Sequence, residues 1–112
     1  MNQTERRYET YLGMQKQVGL VASYTFEPVK FRLGPNWKTA YMPDFLVVLP
    51  DGIVELHEVK GASKSKGATA GAWWEEDARL KIKMAAGLLP FRFVGVHENG
   101  RGGWAREVFP PE

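Results

Sequence analysis

The stretch Tyr41-Met42-Pro43-Asp44-Phe45-Leu46-Val47-Val48-Leu49 runs into Pro50-Asp51-Gly52, and Ile53-Val54-Glu55-Leu56-His57-Glu58-Val59-Lys60-Gly61 follows. Pro-Asp-Gly between two β-rich runs is turn chemistry: proline pre-sets φ, aspartate bonds its own backbone, and glycine accepts a positive φ. The spacing predicts a hairpin with arms over about 39–49 and 53–60. Counting outward from residue 51 sets Asp44 and Glu58 roughly opposite each other. Residues two apart on a strand share a face, so Glu58 and Lys60 point together and His57 points the other way. Two carboxylates and an ammonium are thereby expected at one end of the hairpin.

That trio suits phosphodiester hydrolysis. Hard carboxylate oxygens match Mg²⁺ or Mn²⁺, and Mg²⁺ keeps several waters and takes few protein ligands. Such an ion polarises a phosphoryl oxygen and lowers the pKa of its bound water. A lysine alongside can orient that water or offset charge growing on the phosphate. Taken singly, an Asp after Pro is an ordinary strand-edge residue, and Glu58 with Lys60 is an ordinary surface pair. The joint spacing carries the reading.

Outward from the hairpin, about Thr4 to Val18 reads as a helix, with Tyr8, Tyr11, Leu12 and Val18 on one side and Gly19 as its stop. Val21 to Leu33 reads as one strand, with Pro28 marking an edge position or a bulge, and Gly34-Pro35-Asn36 turns the chain. Beyond the hairpin, residues 61–71 are rich in Gly, Ser, Ala and Lys and read as a mobile loop. A second helix is expected from about Trp73 to Gly87, burying Ala78, Ile82, Ala85, Ala86 and Leu89, with Pro90 ending it. Phe91 to Val96 and Trp104 to Phe109 read as strands around an Asn99-Gly100 turn. The order is helix, three strands, helix, two strands. The third strand, second helix and fourth strand form a βαβ unit with parallel strands, and the first three strands run antiparallel. An α/β domain with a mixed sheet flanked by helices follows.

Composition agrees with one domain over residues 1–112. The hydrophobic fraction is 44%, enough for a core, and four Trp add buried area. Cysteine is absent, which rules out disulfides and thiolate metal sites. No apolar run approaches the roughly 20 residues of a membrane span, and the polar N-terminus lacks a signal segment; a cytoplasmic protein is the expectation. The net charge of +2 is a mild basicity that neither demands nor excludes nucleic acid.

Pro43-Asp44, with thirteen residues before Glu58-Val59-Lys60, resembles the signature of the PD-(D/E)XK nuclease superfamily. The wider pattern resembles its small phage-encoded, Holliday-junction-resolvase-like members: an N-terminal helix bearing Glu5, the run from Tyr41 to Phe45, Glu58-Val59-Lys60-Gly61, and a helix bearing Lys81 and Lys83. The likeness spans about residues 4–96. It implies a restriction-endonuclease-like fold and a metal held by Asp44, Glu58 and the Val59 backbone carbonyl, with Lys60 catalytic. Glu5 would add a further carboxylate; on the helical wheel it borders the apolar stripe more closely than Glu9 does. The implied activity is metal-dependent cleavage of DNA, structure-directed toward branched or nicked substrates, in a phage or prophage context and hence in a host cytoplasm.

Lys64, Lys66, Lys81 and Lys83 are candidate DNA-backbone contacts, as are Arg6 and Arg7. Trp37, more than Trp73 or Trp74, is placed to stack on a base. Neither His57 nor His97 has a partner at zinc-ligand spacing. Cutting both strands needs two sites, which a homodimer would supply. The alternatives are a nucleic-acid-binding module or nuclease accessory subunit that does not cut, and a plain interaction protein in which the trio is coincidence.

Overall fold

The computed structural model describes residues 1–32, 40–61, 76–99 and 103–109. Lys64, Lys66, Trp37, Trp73, Trp74, the Gly34-Pro35-Asn36 turn and the side chain of Ala78 lie outside the described residues.

Helix α1 (Gln3–Gln17) begins with a capping box. The Asn2 side chain accepts from the Glu5 N–H at 2.8 Å, and Glu5 Oε1 accepts from the Asn2 N–H at 2.8 Å, which satisfies two helix-end donors reciprocally. Gly19, at φ +84°, follows the helix in the backbone region that favours glycine. Tyr8 and Leu12 are buried as expected, but Tyr11 lies at the surface and Val18 falls past the helix end, 69% exposed.

The expected strand over Val21 to Leu33 is two strands in two sheets: β1 (Ser23–Phe26) and β2 (Phe31–Arg32). The chain breaks at Glu27, a non-glycine residue at φ +46°, followed by Pro28. The strand over 39–49 also divides, into β3 (Ala40–Tyr41) and β4 (Phe45–Val48), around Met42-Pro43-Asp44. Proline has no N–H for a ladder, so Pro43 is a natural place to leave one.

The hairpin stands. β4 pairs antiparallel with β5 (Val54–Lys60), Phe45 opposite His57 and Val48 opposite Val54. Its turn closes through Leu49 N–H to Ile53 O at 2.9 Å, with Gly52 at φ +90°. Helix α2 (Glu76–Leu88) connects β5 to β6 (Arg92–Glu98), which runs parallel to β5, and β7 (Trp104–Phe109) returns antiparallel to β6. The main sheet has the order β1-β4-β5-β6-β7, and β2-β3 forms a separate hairpin.

Alternation along β5 and β6 sorts the core to two sides. Tyr8 and Leu12 of α1 pack with Phe45, Val47, Val59, Val94 and Val96. Ile82 and Ala85 of α2 pack with Tyr41, Leu56, Phe93 and Phe109. Each helix therefore covers one face of a mixed five-stranded sheet, making a compact α/β domain. Neither helix is long and apolar enough to cross a membrane.

Candidate functional site

Asp44 is fixed by its backbone on both sides. Its N–H donates to His57 O at 3.0 Å and its carbonyl accepts from Glu27 N–H at 2.8 Å. The β4–β5 register, carried one step past Phe45, sets Asp44 opposite Glu58, as the turn count predicts. Asp44 Oδ2 accepts the Val59 N–H at 2.7 Å. Lys60 Nζ stands 3.7 Å from Glu58 Oε1 on the same strand face. The three central residues are thus brought together.

Tyr41, which the sequence reading treats only as part of the motif, donates its hydroxyl to Glu58 Oε2 at 3.2 Å. Burial, then the charges of Glu58 and Asp44, pushes that phenol well above its usual range, so it stays a proton donor. The sequence places Tyr41 in the run before Asp44 but gives no cue to its bond with Glu58.

Glu5 reaches the same end of the sheet. Helix α1 abuts it there: the Thr4 hydroxyl is the nearest atom to where a Cβ on Gly61 would stand, at 3.5 Å. Arg7 clamps the same first turns to the end of β6 with two bonds to Glu98, Nε to Oε2 at 2.9 Å and Nη2 to Oε1 at 2.7 Å. Arg7, half exposed, pairs with Glu98. Arg6, Lys81 and Lys83 are exposed.

The electrostatics of this end are unfavourable for charge. Burial and the neighbouring Glu58 charge push the Asp44 carboxyl up from 3.8 to about 8, against the pull of the Val59 N–H. A hydrogen bond between the Asp44 and Glu5 carboxyls contributes in the same direction, and two carboxyls can bond only by sharing a proton. Burial likewise raises Glu58, while Lys60 and Tyr41 pull it down. Among the described residues no three His, Asp or Glu side chains stand in metal-ligand geometry. Glu5 Oε1 closes the capping box with Asn2, while the same carboxyl lies close enough to Asp44 and Glu58 to act on both.

The opposite face of β5 holds a second polar group that the alternation of charged residues conceals in the sequence. Glu55 is 1% exposed and His57 3%. His57 Nε2 bonds Glu55 Oε1 at 2.9 Å, and Glu55 Oε2 accepts from Arg92 at 2.9 Å and Arg106 at 3.0 Å. The Tyr8 hydroxyl meets His57 Nδ1 at 2.6 Å. An ionised Glu55 accepts only, so His57 carries its proton on Nε2 and Tyr8 donates to Nδ1. Burial lowers the His57 pKa, leaving it neutral. Burial works against the Glu55 charge, but the His57 and Arg92 bonds and the Arg106 charge outweigh it and bring the carboxyl to about 2. Glu55 therefore has two guanidiniums and an imidazole for partners, whereas the ion pair at the Asp44–Glu58 end is the one between Lys60 and Glu58 among the described residues.

Comparison with family models, curated proteins and solved structures yields no match to the chain.

Proposed function

We propose that the chain is a metal-dependent endodeoxyribonuclease of restriction-endonuclease-like fold, with Asp44, Glu58 and Lys60 as its reacting centre. One observation carries the reading: the hairpin register sets the part-buried Asp44 opposite Glu58, with Lys60 Nζ 3.7 Å from Glu58 Oε1. A fold that forces carboxylates together without a cation is arranged to receive one. The donor set fits a hard divalent ion, Mg²⁺ or Mn²⁺. Two carboxylates and the Val59 backbone carbonyl would hold it, with waters filling the rest of its shell.

When bound, the ion supplies Lewis acidity toward the phosphoryl oxygen and a water acidified enough to attack. Asp44 and Glu58 fix the position of that water relative to the phosphorus. Tyr41 orients Glu58 by donating to Oε2, leaving Oε1 toward Lys60. Lys60 aligns the water and offsets charge on the phosphate as the new P–O bond forms and the leaving alkoxide departs. The site sits where β5 and β6, the parallel pair, end, a usual place for ligands in α/β sheets. With one small domain, recognition rests on backbone and shape, so branched or nicked DNA in a phage or prophage setting is the substrate class proposed.

The test is a panel of linear, nicked, flapped and four-way-junction DNAs incubated with Mg²⁺. Glu58→Ala and Lys60→Ala should each lower cleavage by about 100-fold or more while DNA binding persists. Wild-type cutting by either variant, or no cutting of any substrate with any divalent metal, rejects the assignment.

A further inference from the structure

The β2–β3 hairpin adds something the sequence conceals. Read as part of a long strand, Lys30 and Arg32 are merely the wet face of that strand. In the structure Phe31 pairs with Tyr41 and Arg32 with Ala40, so both cations flank the residue directly across from Tyr41, whose hydroxyl holds Glu58. The hairpin is anchored from inside: the Phe31 ring packs 6.1 Å from Phe91 and 6.4 Å from Phe93, and Tyr41 lies 6.2 Å from the same Phe93. With Phe31 turned inward, Lys30 and Arg32 are left outside, both exposed. Among the described residues neither makes an ion pair. Between them lies a notch of about 200 Å³ bounded by Lys30, Phe31, Arg32 and Ala40, room for several groups of water size at about 30 Å³ each.

We propose that this hairpin is a second anchoring site for the nucleic-acid backbone, in which Lys30 and Arg32 grip a phosphodiester a few nucleotides from the scissile one. The inference rests on the nuclease reading of Asp44 and Glu58 and extends it. Guanidinium supplies a planar fork suited to phosphate oxygens, and ammonium supplies a point charge beside it. Two like charges held on neighbouring positions without a carboxylate create a positive potential that an anion relieves. Adjacent strands lie about 5 Å apart, so Tyr41 links the two sites through one strand pairing. A backbone gripped there lies on the strand next to the one that carries Tyr41. Such a contact fixes register and affinity and carries no base sequence.

The experiment uses the full chain and a fluorescently labelled four-way junction and duplex, with binding followed by anisotropy in Ca²⁺ across a salt series. Turnover is then measured in Mg²⁺. The double variant Lys30→Ala/Arg32→Ala should weaken binding about tenfold and reduce the slope of log affinity against log salt by about 1, the value for one lost phosphate contact. The DNA concentration for half-maximal cleavage should rise by a similar factor, and the charge-keeping pair Lys30→Arg/Arg32→Lys should bind within about twofold of wild type. Unchanged affinity, or weaker binding with an unchanged salt slope, overturns the hairpin assignment and leaves the Asp44–Glu58 reading intact. A fall in saturated turnover equal to the fall in affinity also overturns it, since the hairpin would then act by supporting Tyr41. If the wild-type chain binds neither DNA, both proposals fail together.

Discussion

Replacing Asp44 by asparagine should stabilise the metal-free protein at neutral and alkaline pH. The Asp44 carboxyl ionises at about 8 when folded, against 3.8 ordinarily. Its folded pKa is raised, so between those values the native state binds more protons than the unfolded chain. Stability must then fall as pH rises across that window, and level off above about 8. At 1.36 kcal/mol per pH unit the ceiling is about 6 kcal/mol. Partial exposure and the favourable Val59 N–H bond reduce the realised gain to about 2 kcal/mol. Asparagine keeps an oxygen for that N–H and presents an NH₂ in place of a charge. For a domain of this size the gain corresponds to about 8 °C in melting temperature. The assay is thermal unfolding in EDTA at pH 5 and pH 8. Asp44→Asn should melt higher at pH 8, with the advantage shrinking at pH 5. Saturating Mg²⁺ should reverse the order, since an ion at 100 times its Kd adds about 2.7 kcal/mol to the wild type alone. An Asp44→Asn protein that melts at or below wild type in EDTA at pH 8 would refute the claim that this end of the sheet is strained by its own carboxyls.

The network on the other face makes the contrary predictions. Tyr8→Phe removes the donor to His57 Nδ1 and leaves a buried acceptor unpaired, so the urea midpoint should fall by the equivalent of about 1–2 kcal/mol at unchanged m-value; an unmoved midpoint rejects the bond. Glu55→Gln strips the anion from Arg92, Arg106 and His57, and should cost about 3 kcal/mol in the same measurement. It should also flatten the acid limb of the stability profile. The folded Glu55 pKa is lowered from 4.5 to about 2 and that of His57 lies below 6.5. The Glu55 contribution is therefore present above 4.5 and lost as pH drops toward 2, and that of neutral His57 is whole above 6.5 and fades below it. An acid limb as steep as that of wild type would exclude Glu55 as its source.

How much of this was legible in the sequence depends on how local each determinant is. Pro50-Asp51-Gly52 centres the hairpin, and strand period two does the rest, so the opposition of Asp44 and Glu58 and the shared face of Glu58 and Lys60 follow from a short window. Both helices and the parallel β5–β6 pair were legible for the same reason. The breaks at Glu27 and Pro43 were not. The apolar alternation continues through them, and Glu27 takes a positive φ although its N–H still bonds Asp44 O across the sheet. Nor was the burial of Glu55 legible. A charged residue on an alternating strand reads as solvated, and its partners Arg92 and Arg106 stand 37 and 51 residues away. Glu5 shows the limit of a helical wheel. The wheel puts it beside the apolar stripe, but only the structure reveals that its carboxylate also closes the capping box with Asn2.

Strand β5 carries a buried glutamate, Glu55, and a part-buried one, Glu58, three residues apart, and the fold treats them oppositely. Glu55 meets two guanidiniums and an imidazole and is drawn down to about 2. Glu58, with a single lysine 3.7 Å away, faces Asp44 and rises. Burial alone penalises both, so the difference comes from partner supply. Stability would be served by giving Asp44 and Glu58 the same cationic company that Glu55 enjoys. The chain does that for Glu55 and not for Asp44 and Glu58, where the first turn of α1 brings a further carboxyl, from Glu5, to the end of the sheet. The Glu55 network holds a helix to a sheet; two carboxyls crowded at the end of a sheet favour either a bound proton or a bound cation. That asymmetry across one strand is the physical ground for assigning the Asp44–Glu58 side to chemistry and the Glu55–His57 side to architecture.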